Sequence, residues 1–200
     1  MRHAETSGNL RRAYIGRTDE PLCAEGRASA RRAGVLPSIT RVVVSPLLRA
    51  RQTASICFPN AEQIVAPGLR EMDFGDFEGR SALEMEDDPA YRLWLEGLCE
   101  LACPNGESRA LFCRRTAAAF EQILAQERAR NEQRLVIVAH GGTIMALMSR
   151  FAIPHRGYFD WHVGSCGGFR ALVKTGAPGE GPTISQPTPF DSLDSALQPL

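Results

Sequence analysis

Two short runs of consecutive apolar residues stand out in an otherwise mixed sequence. The run RVVV at 41–44 precedes Ser45-Pro46, and the run RLVIVA at 134–139 precedes the turn HGGT. Continuous apolar runs followed by helix-starting residues predict strands that are buried on both faces, as in a parallel sheet. Two such strand–turn–helix units predict an α/β fold in which helices cover a mostly parallel sheet.

Apolar positions at helical spacing predict several helices. The predicted helical ranges are 24–35, 46–57 with Ser45 as its N-cap, 80–98 with a break near Asp88-Pro89, 107–128, and the segment after residue 140. The segment GFRALVK at 168–174 predicts a late strand. Residues from 176 onward are rich in Gly, Pro, Ser and Thr. We therefore expect one domain over 1–175 and an irregular tail over 176–200.

The composition is that of an ordinary globular protein. The chain has 200 residues, of which 44% are hydrophobic, and 23 basic side chains balance 23 acidic ones. A formal net charge of zero predicts no general attraction to nucleic acid or to an anionic membrane surface. The six cysteines form no CxxC pair and no zinc-ligand spacing, and the polar first residues do not resemble a secretory leader. We therefore expect a cytoplasmic protein with reduced thiols and no bound metal.

Charged and imidazole side chains follow the predicted strands at their carboxyl ends. Arg49 follows the first strand, His140 follows the second, and Arg2 and His3 open the chain. Because ligands of open α/β sheets bind beyond the carboxyl ends of the strands, these residues would share one crevice. Two guanidinium groups and two imidazoles suit a tetrahedral dianion such as phosphate. Gly141 and Gly142, after His140, would allow the backbone to approach the phosphate closely.

Phosphoryl transfer also needs a nucleophile and a proton donor. A neutral imidazole can attack phosphorus, and a carboxyl group can protonate the leaving oxygen. Glu71 lies in GLREMDFGDFEG, a polar and aromatic stretch without regular periodicity, and loops of this kind often carry function. Taken singly, each candidate has an ordinary interpretation as a structural histidine, a surface arginine or a loop carboxylate. Together they supply every part that phosphoryl transfer requires.

Six ordered segments resemble the histidine phosphatase superfamily, in its phosphoglycerate-mutase-like branch. They are RHAETSGN, YIGRTDEPLCAEGRASA, SPLLRARQTA, LREMDFGDFEG, PNGES and VAHGGT, and together they cover roughly residues 2–173. The resemblance implies a three-layer α/β/α sandwich and a two-step mechanism that needs neither a metal nor a cofactor. Within the family, EMDFGDFEG, PNGES and YFDWHVGSCGGF are more similar to α-ribazole-phosphate phosphatases and their broad-specificity relatives than to the mutases.

The resemblance also implies a role for each candidate residue. His3 would be the nucleophile that becomes phosphohistidine, and Glu71 would be the general acid and then the base for the attacking water. The groups that hold the phosphoryl group would be Arg2, Asn9, Arg49, His140 and Gly141. Three further residues are candidates for lining the substrate site, namely Thr18, Arg51 and Glu107.

The predicted function is hydrolysis of a small phosphomonoester, with α-ribazole 5′-phosphate as the candidate substrate. A phosphoglycerate mutase and a non-catalytic phosphate-binding module are the alternatives. The predicted partner is a small-molecule substrate, without nucleic acid or membrane, and the predicted assembly is a monomer or a homodimer. Tyr91, Trp94, Phe159 and Trp161 could stack on a nucleoside-like base, although aromatic residues more often pack in cores.

One strand of the implied fold is missing from the sequence. The family has an apolar strand directly before Arg-His, whereas only Met1 precedes these residues here. We therefore expect the natural chain to start upstream, and the sheet of the chain as written to lack its first strand. Such a chain would be less stable and less active than one with the strand restored. Ala4, where the family more often has Gly, would add one methyl group near the nucleophile.

Overall fold

A computed structural model of the chain describes residues 1–176 and 180–196, in which helices and strands alternate. The helices are α1 (Ser7–Leu10), α2 (Ala24–Ala33), α3 (Leu48–Cys57), α4 (Pro89–Glu96), α5 (Arg109–Ala129), α6 (Gly141–Phe151) and α7 (Leu193–Ala196). The strands are β1 (Arg41–Val44), β2 (Glu62–Val65), β3 (Ile137–Val138), β4 (Ala152–Ile153), β5 (Gly168–Lys174) and β6 (Thr183–Phe190). Short 3₁₀ turns lie at Pro67–Leu69, Gly75–Phe77, Leu83–Met85 and Tyr158–Trp161.

The strand β1 is the centre of a parallel sheet of order β2-β1-β3. Val42 and Val44 are buried in one apolar cluster with residues of α2 and α3. Val43 points to the opposite face, where it packs against Ala119 and Ile123 of α5. Side chains on both faces of the strand are therefore apolar, which explains the continuous valine run. The predicted three-layer α/β/α arrangement is confirmed, with α2 and α3 on one face and α5 and α6 on the other.

Residues 1–3 lie in an extended conformation alongside the end of β3. Arg2 forms a parallel bridge with Ala139, and the amide nitrogen of His3 donates to the carbonyl of Ala139 at 2.9 Å. On the opposite side, the amide nitrogen of Arg2 donates to the carbonyl of Gly167 at 2.8 Å. Hydrogen bonds on both sides thus fix the backbone at the start of the chain, where an unpaired terminus would fray.

An apolar groove continues the line of residues 1–3 beyond Met1. The strand β3 is an edge of the first sheet, and β5 is an edge of a second sheet of order β4-β6-β5. The two edges line a cavity of about 1010 Å³. Its walls come from both helical layers and from β5, and they include Leu36, Phe58, Phe120, Leu147, Phe169 and Val173. The groove lies where the sequence predicts an absent strand.

The predicted irregular tail is wrong at residues 183–190 and 193–196, which form β6 and α7. β6 pairs antiparallel with β5 and parallel with β4, and Leu193 of α7 is buried in the same cluster as Val42. This strand was not predicted because it contains two prolines, and proline is unfavourable inside a sheet. β4 pairs only with Ile184 and Ser185, so Pro187 and Pro189 lie where one side of β6 has no neighbouring strand. The domain therefore extends at least to residue 196. Residues 177–179 and 197–200 of the predicted tail lie outside the described residues.

An apolar N-terminal extension is expected to stabilise the fold. About five alternating Val, Ile and Leu residues added before Met1 should pair with β3 and fill the groove. Burial of two such side chains, at the lower figure of about 1.5 kcal/mol each, contributes about 3 kcal/mol, which for a domain of this size corresponds to a rise in Tm of about 6–12 °C. Differential scanning calorimetry of the extended and parent chains measures the change. A Ser/Gly extension of equal length is the control, and equal Tm values for the two extensions would contradict the expectation.

Candidate active site

The imidazole of His3 is buried and held in one tautomer. Its Nδ1 lies 2.6 Å from the carbonyl oxygen of Ala4. Because a carbonyl oxygen only accepts, Nδ1 carries the proton, and the lone pair of Nε2 is available. Burial, and next the positive charge of Arg49, lower the pKa of His3 well below its ordinary value. His3 is therefore a neutral imidazole with an unprotonated Nε2 at neutral pH.

The guanidinium of Arg49, on α3, is fully buried beside His3. Its Nε donates a hydrogen bond to Nε2 of His3 at 3.2 Å. Its Nη atoms donate to the carbonyl oxygens of Ile15, Gly16 and Thr18 at 3.2, 2.7 and 2.8 Å. Burial lowers the pKa of Arg49, but a guanidinium remains charged in proteins. A fixed positive charge thus adjoins the unprotonated Nε2 of His3.

Two buried nitrogen atoms near His3 lack a hydrogen-bond partner among the described residues. These atoms are Nδ1 of His140 and Nε of Arg2. The ring of His140 lies 5.0 Å from that of His3, centroid to centroid, and its Nε2 lies 2.6 Å from Oγ of Ser45. Among the described residues the Ser45 hydroxyl has no other acceptor within hydrogen-bond distance, so we assign its proton to the bond with Nε2. Nδ1 of His140 then carries the ring proton. Unsatisfied buried donors require an explanation, and an anion beside His3 would supply acceptors for both.

Glu71 places a buried carboxyl group on the same site. One carboxyl oxygen accepts from the amide of Met72 at 3.0 Å, and the other accepts from the amide of Gly142 at 2.9 Å. Burial raises the pKa of Glu71, although these hydrogen bonds and Arg49 act in the opposite direction. The raised pKa favours the protonated form, which can donate to a leaving group. Gly142 is required here because a Cβ would come within 2.4 Å of the carboxyl oxygen.

Glu107 supports Glu71 and does not line the site. Its carboxylate lies 2.6 Å from Nη2 of Arg115 and accepts from the amide of Asp73 at 3.0 Å. Arg115 in turn donates to the carbonyl oxygens of Gly68 and Glu71 at 3.0 and 3.3 Å. The predicted substrate-lining role of Glu107 is therefore replaced by a role in fixing the backbone that carries the acid.

Three other predicted residues have less direct positions. The side-chain oxygen of Asn9 accepts from the amide of Thr6 and so caps α1, and no hydrogen bond in the described ranges joins Asn9 to His3. Arg51 is exposed on α3, away from the bonded network of the buried residues. A Cβ on Gly141 would make only ordinary contacts with Arg2, the nearest at 3.6 Å. Of the two glycines predicted to allow a close approach, only Gly142 is in close contact with a neighbouring group, the carboxyl group of Glu71.

Sequence reasoning missed two residues that hold the site together. Ser45 was assigned to cap a helix, but α3 begins at Leu48 without a side-chain cap, and the Ser45 hydroxyl bonds to His140. Glu78 binds the loop that includes Thr18, whose hydroxyl donates to it at 2.6 Å. The available signals were a serine directly after a buried strand and a second glutamate in the loop of Glu71.

Three of the four aromatic residues considered for base stacking are core residues. Tyr91, Trp94 and Trp161 are 3%, 4% and 1% exposed, whereas Phe159 is 54% exposed. Only Phe159 presents a ring to solvent. In the parts of the chain with described coordinates, no group of His, Cys, Asp and Glu side chains suits a metal ion, and no helix is long and apolar enough to cross a membrane. All six cysteines are free thiols.

The site combines a buried histidine with an unprotonated nitrogen, cationic neighbours and a buried carboxyl group whose pKa is raised. These groups are the ones that phosphoryl chemistry in an α/β protein requires. Residues 1–176 match the family described as the histidine phosphatase superfamily, branch 1. The chain belongs to this superfamily, and the resemblance of its six segments is confirmed.

Relatives of two kinds are similar to the chain. The adenosylcobalamin/α-ribazole phosphatase of Salmonella typhimurium strain LT2 is 32% identical over 157 residues, which cover 75% of this chain and 76% of that protein. The probable phosphoglycerate mutase GpmB of Enterobacter sp. strain 638 is 34% identical over 157 residues, covering 74% and 71%. The crystal structure of the α-ribazole phosphatase from Shigella flexneri has a TM-score of 0.76 at 25% identity, covering 96% of this chain and 95% of that one.

The free energy of unfolding is expected to rise between pH 5 and pH 8. Burial lowers the pKa of His3, of His140 and of the Met1 α-amino group, the last to about 5. The unfolded chain therefore binds more protons as the pH falls, and each fully affected group costs about 1.4 kcal/mol per pH unit below its unfolded pKa. Glu71 acts in the opposite direction, because its raised pKa favours protonation of the folded chain.

Urea titrations at pH 5, 6, 7 and 8 measure this dependence. His3→Gln should flatten the slope, because it removes one group whose pKa burial lowers. Glu71→Gln should steepen it, because it removes the opposing group. Equal stability at all four pH values would contradict the expected dependence.

Proposed function

We propose that this chain hydrolyses phosphomonoesters through a phosphohistidine intermediate on His3. The observation that carries the proposal is the unprotonated Nε2 of His3, which accepts a hydrogen bond from Nε of Arg49 at 3.2 Å in a buried site. The unpartnered donors of Arg2 and His140 adjoin it. A phosphoryl group would satisfy these donors, and the buried carboxyl of Glu71 supplies the proton that a leaving alkoxide needs.

In the first step, Nε2 of His3 attacks phosphorus, and the bond between phosphorus and the ester oxygen breaks. Glu71 gives its proton to the departing oxygen, which leaves as an alcohol. The Nδ1–H bond to the carbonyl of Ala4 stabilises the positive charge that develops on the ring. Arg2, Arg49 and His140 stabilise the charge on the non-bridging oxygens, which is usually the largest catalytic contribution.

In the second step, water displaces the histidine. Glu71, now ionised, takes a proton from the water, and the water oxygen attacks the phosphorus of phosphohistidine. The bond between phosphorus and Nε2 breaks, and inorganic phosphate leaves. Glu71 ends the cycle protonated, and His3 is again neutral. One carboxyl group therefore serves as acid and then as base.

The proposed substrate is α-ribazole 5′-phosphate. The similarity to proteins named α-ribazole phosphatases supports this proposal. The proposed setting is the cytoplasm, with a small-molecule substrate and a monomeric or homodimeric chain. A mutase is the second candidate, favoured by the relative named GpmB. Specificity constants for α-ribazole 5′-phosphate and for phosphoglycerates, with and without 2,3-bisphosphoglycerate, distinguish the two. Interconversion of phosphoglycerates without release of phosphate would establish the mutase.

His3→Ala is expected to abolish turnover of p-nitrophenyl phosphate, measured in the presence of EDTA. The parent chain should also become labelled by a ³²P-phosphomonoester in an acid-labile, alkali-stable form, as expected for a phosphorylated nitrogen. The variant should carry no label, because it lacks the attacking nitrogen. A parent chain without turnover would favour the non-catalytic binding module, and equal labelling of the variant would place the nucleophile elsewhere.

Glu71→Gln is expected to affect substrates according to their leaving groups. An alkyl phosphate needs a proton on its departing oxygen, so its turnover should fall by about 10²–10⁴-fold. With p-nitrophenyl phosphate the first step should survive, because p-nitrophenolate leaves without a proton. The second step should be slow, so a burst of p-nitrophenol should precede a low steady rate. Glu84→Gln, at an exposed turn, is the control, and an equal loss with both substrate classes would contradict the acid role.

A further inference from the structure

The carboxylate of Glu78 accepts hydrogen bonds from three consecutive residues, Gly16, Arg17 and Thr18. Its oxygens lie 3.1 Å from the amide nitrogen of Gly16, 2.9 Å from that of Arg17 and 3.3 Å from that of Thr18. The hydroxyl of Thr18 donates at 2.6 Å, and the amide of Phe74 adds a bond at 3.1 Å. Hydrogen bonds to an ionised acceptor are stronger than neutral ones, so this carboxylate fixes the segment firmly.

The opposite face of the same segment binds Arg49. The residues 15–18 are called the guanidinium loop here, because the carbonyl oxygens of Ile15, Gly16 and Thr18 accept from the Nη atoms of Arg49. The amide groups of the loop thus point to an anion and its carbonyl groups to a cation. The N–H and C=O groups of one peptide unit lie in one rigid plane. A rotation that breaks an amide bond to Glu78 therefore also breaks a carbonyl bond to Arg49.

The guanidinium loop sits against the acid as well as against Arg49. A Cβ on Gly16 would lie 1.8 Å from the carbonyl oxygen of Met72, the residue that follows Glu71. The loop backbone therefore packs directly on the backbone that carries the proton donor. A shift of the loop would move Arg49 relative to His3, and a displacement of about 1 Å can cost on the order of 100-fold in rate.

We propose that Glu78 is a positioning residue, which orders the guanidinium loop so that Arg49 meets His3 and the phosphoryl group. This inference rests on the proposed function, because it assigns Arg49 to the phosphoryl site. Glu78 itself forms no hydrogen bond with His3 or Glu71 in the described part of the chain, so it acts through the loop. A merely structural carboxylate would change stability without changing how Arg49 contributes to anion binding.

The test compares two isosteric changes at loop-capping glutamates. Glu78→Gln keeps the shape of the side chain but replaces one acceptor oxygen by an amide NH2 group. This group is a donor and cannot accept from the backbone N–H groups that Glu78 binds. Glu84→Gln makes the same change at an exposed turn, where Glu84 accepts from the amide and hydroxyl of Ser81 at 2.7 and 2.8 Å. We expect Glu78→Gln to weaken inorganic phosphate binding, measured by calorimetry, by on the order of 10- to 100-fold. Glu84→Gln should leave it unchanged.

A double-mutant cycle with Arg49→Lys separates positioning from general destabilisation. Lysine keeps the positive charge but loses the fork that the loop carbonyls hold. If Glu78 acts through Arg49, Glu78→Gln should cause little further loss of phosphate affinity in the Arg49→Lys background. An equal loss in both backgrounds, or no loss in either, would overturn the proposal. Thr18→Val, which removes one bond to Glu78 and keeps the carbonyls, should give a smaller loss of the same kind if Glu78→Gln does not fold.

A spectroscopic readout keeps the proposal separate from the proposed function. The ¹⁵N–¹H signal of Arg49 Nε reports its contact with His3 without turnover or phosphate. Glu78→Gln should shift or broaden this signal, and Glu84→Gln should not. If the parent chain neither binds phosphate nor turns over substrate, the proposed function fails, and the Nε signal alone decides about Glu78. An unchanged signal would overturn the positioning role.

Discussion

The buried guanidinium of Arg49 is the constraint on which the rest of the site depends. None of the ion pairs among the described residues involves Arg49. Burial of a charge without a contacting counter-charge costs several kcal/mol, and hydrogen bonds to carbonyl oxygens offset only part of it. The site therefore retains an excess of positive potential. Burial, and next the charge of Arg49, lower the pKa of the two neighbouring histidines. The same charge favours a dianionic ligand over water.

Burial has opposite effects on the two kinds of titratable group, and the chemistry needs both. It lowers the pKa of His3 and raises that of Glu71, so each group favours its neutral form. A protonated histidine could not attack phosphorus, and an ionised glutamate could not protonate a leaving group. In water the same pair would transfer a proton at neutral pH. The low-dielectric site holds nucleophile and acid ready together, which is a common use of pKa tuning.

The sequence predicts those parts of the molecule that a local pattern determines. The valine run at 41–44 and the helix of residues 109–129 follow from apolar periodicity, and His3 and Arg49 follow from motifs. The role of Glu78 was not predicted because its partners are backbone amides of residues distant in sequence. Every residue type except proline carries such an amide, so the residue types at 16–18 do not indicate the contact. β6 was missed because its prolines contradict strand propensity, while its pairing with β5 supplies the stability. Long-range backbone pairing is thus what the pattern could not show.

Hydrogen bonds to neighbouring segments fix the backbone around His3, although an apolar groove with two strand edges adjoins Met1. Arg2 donates to Gly167, His3 donates to Ala139, and the amide of Ala4 donates to the hydroxyl of Thr53. Thr53 in turn donates to the carbonyl of Arg49 on α3. The backbone around His3 is therefore held by hydrogen bonds to Ala139, which follows β3, and through Thr53 to α3.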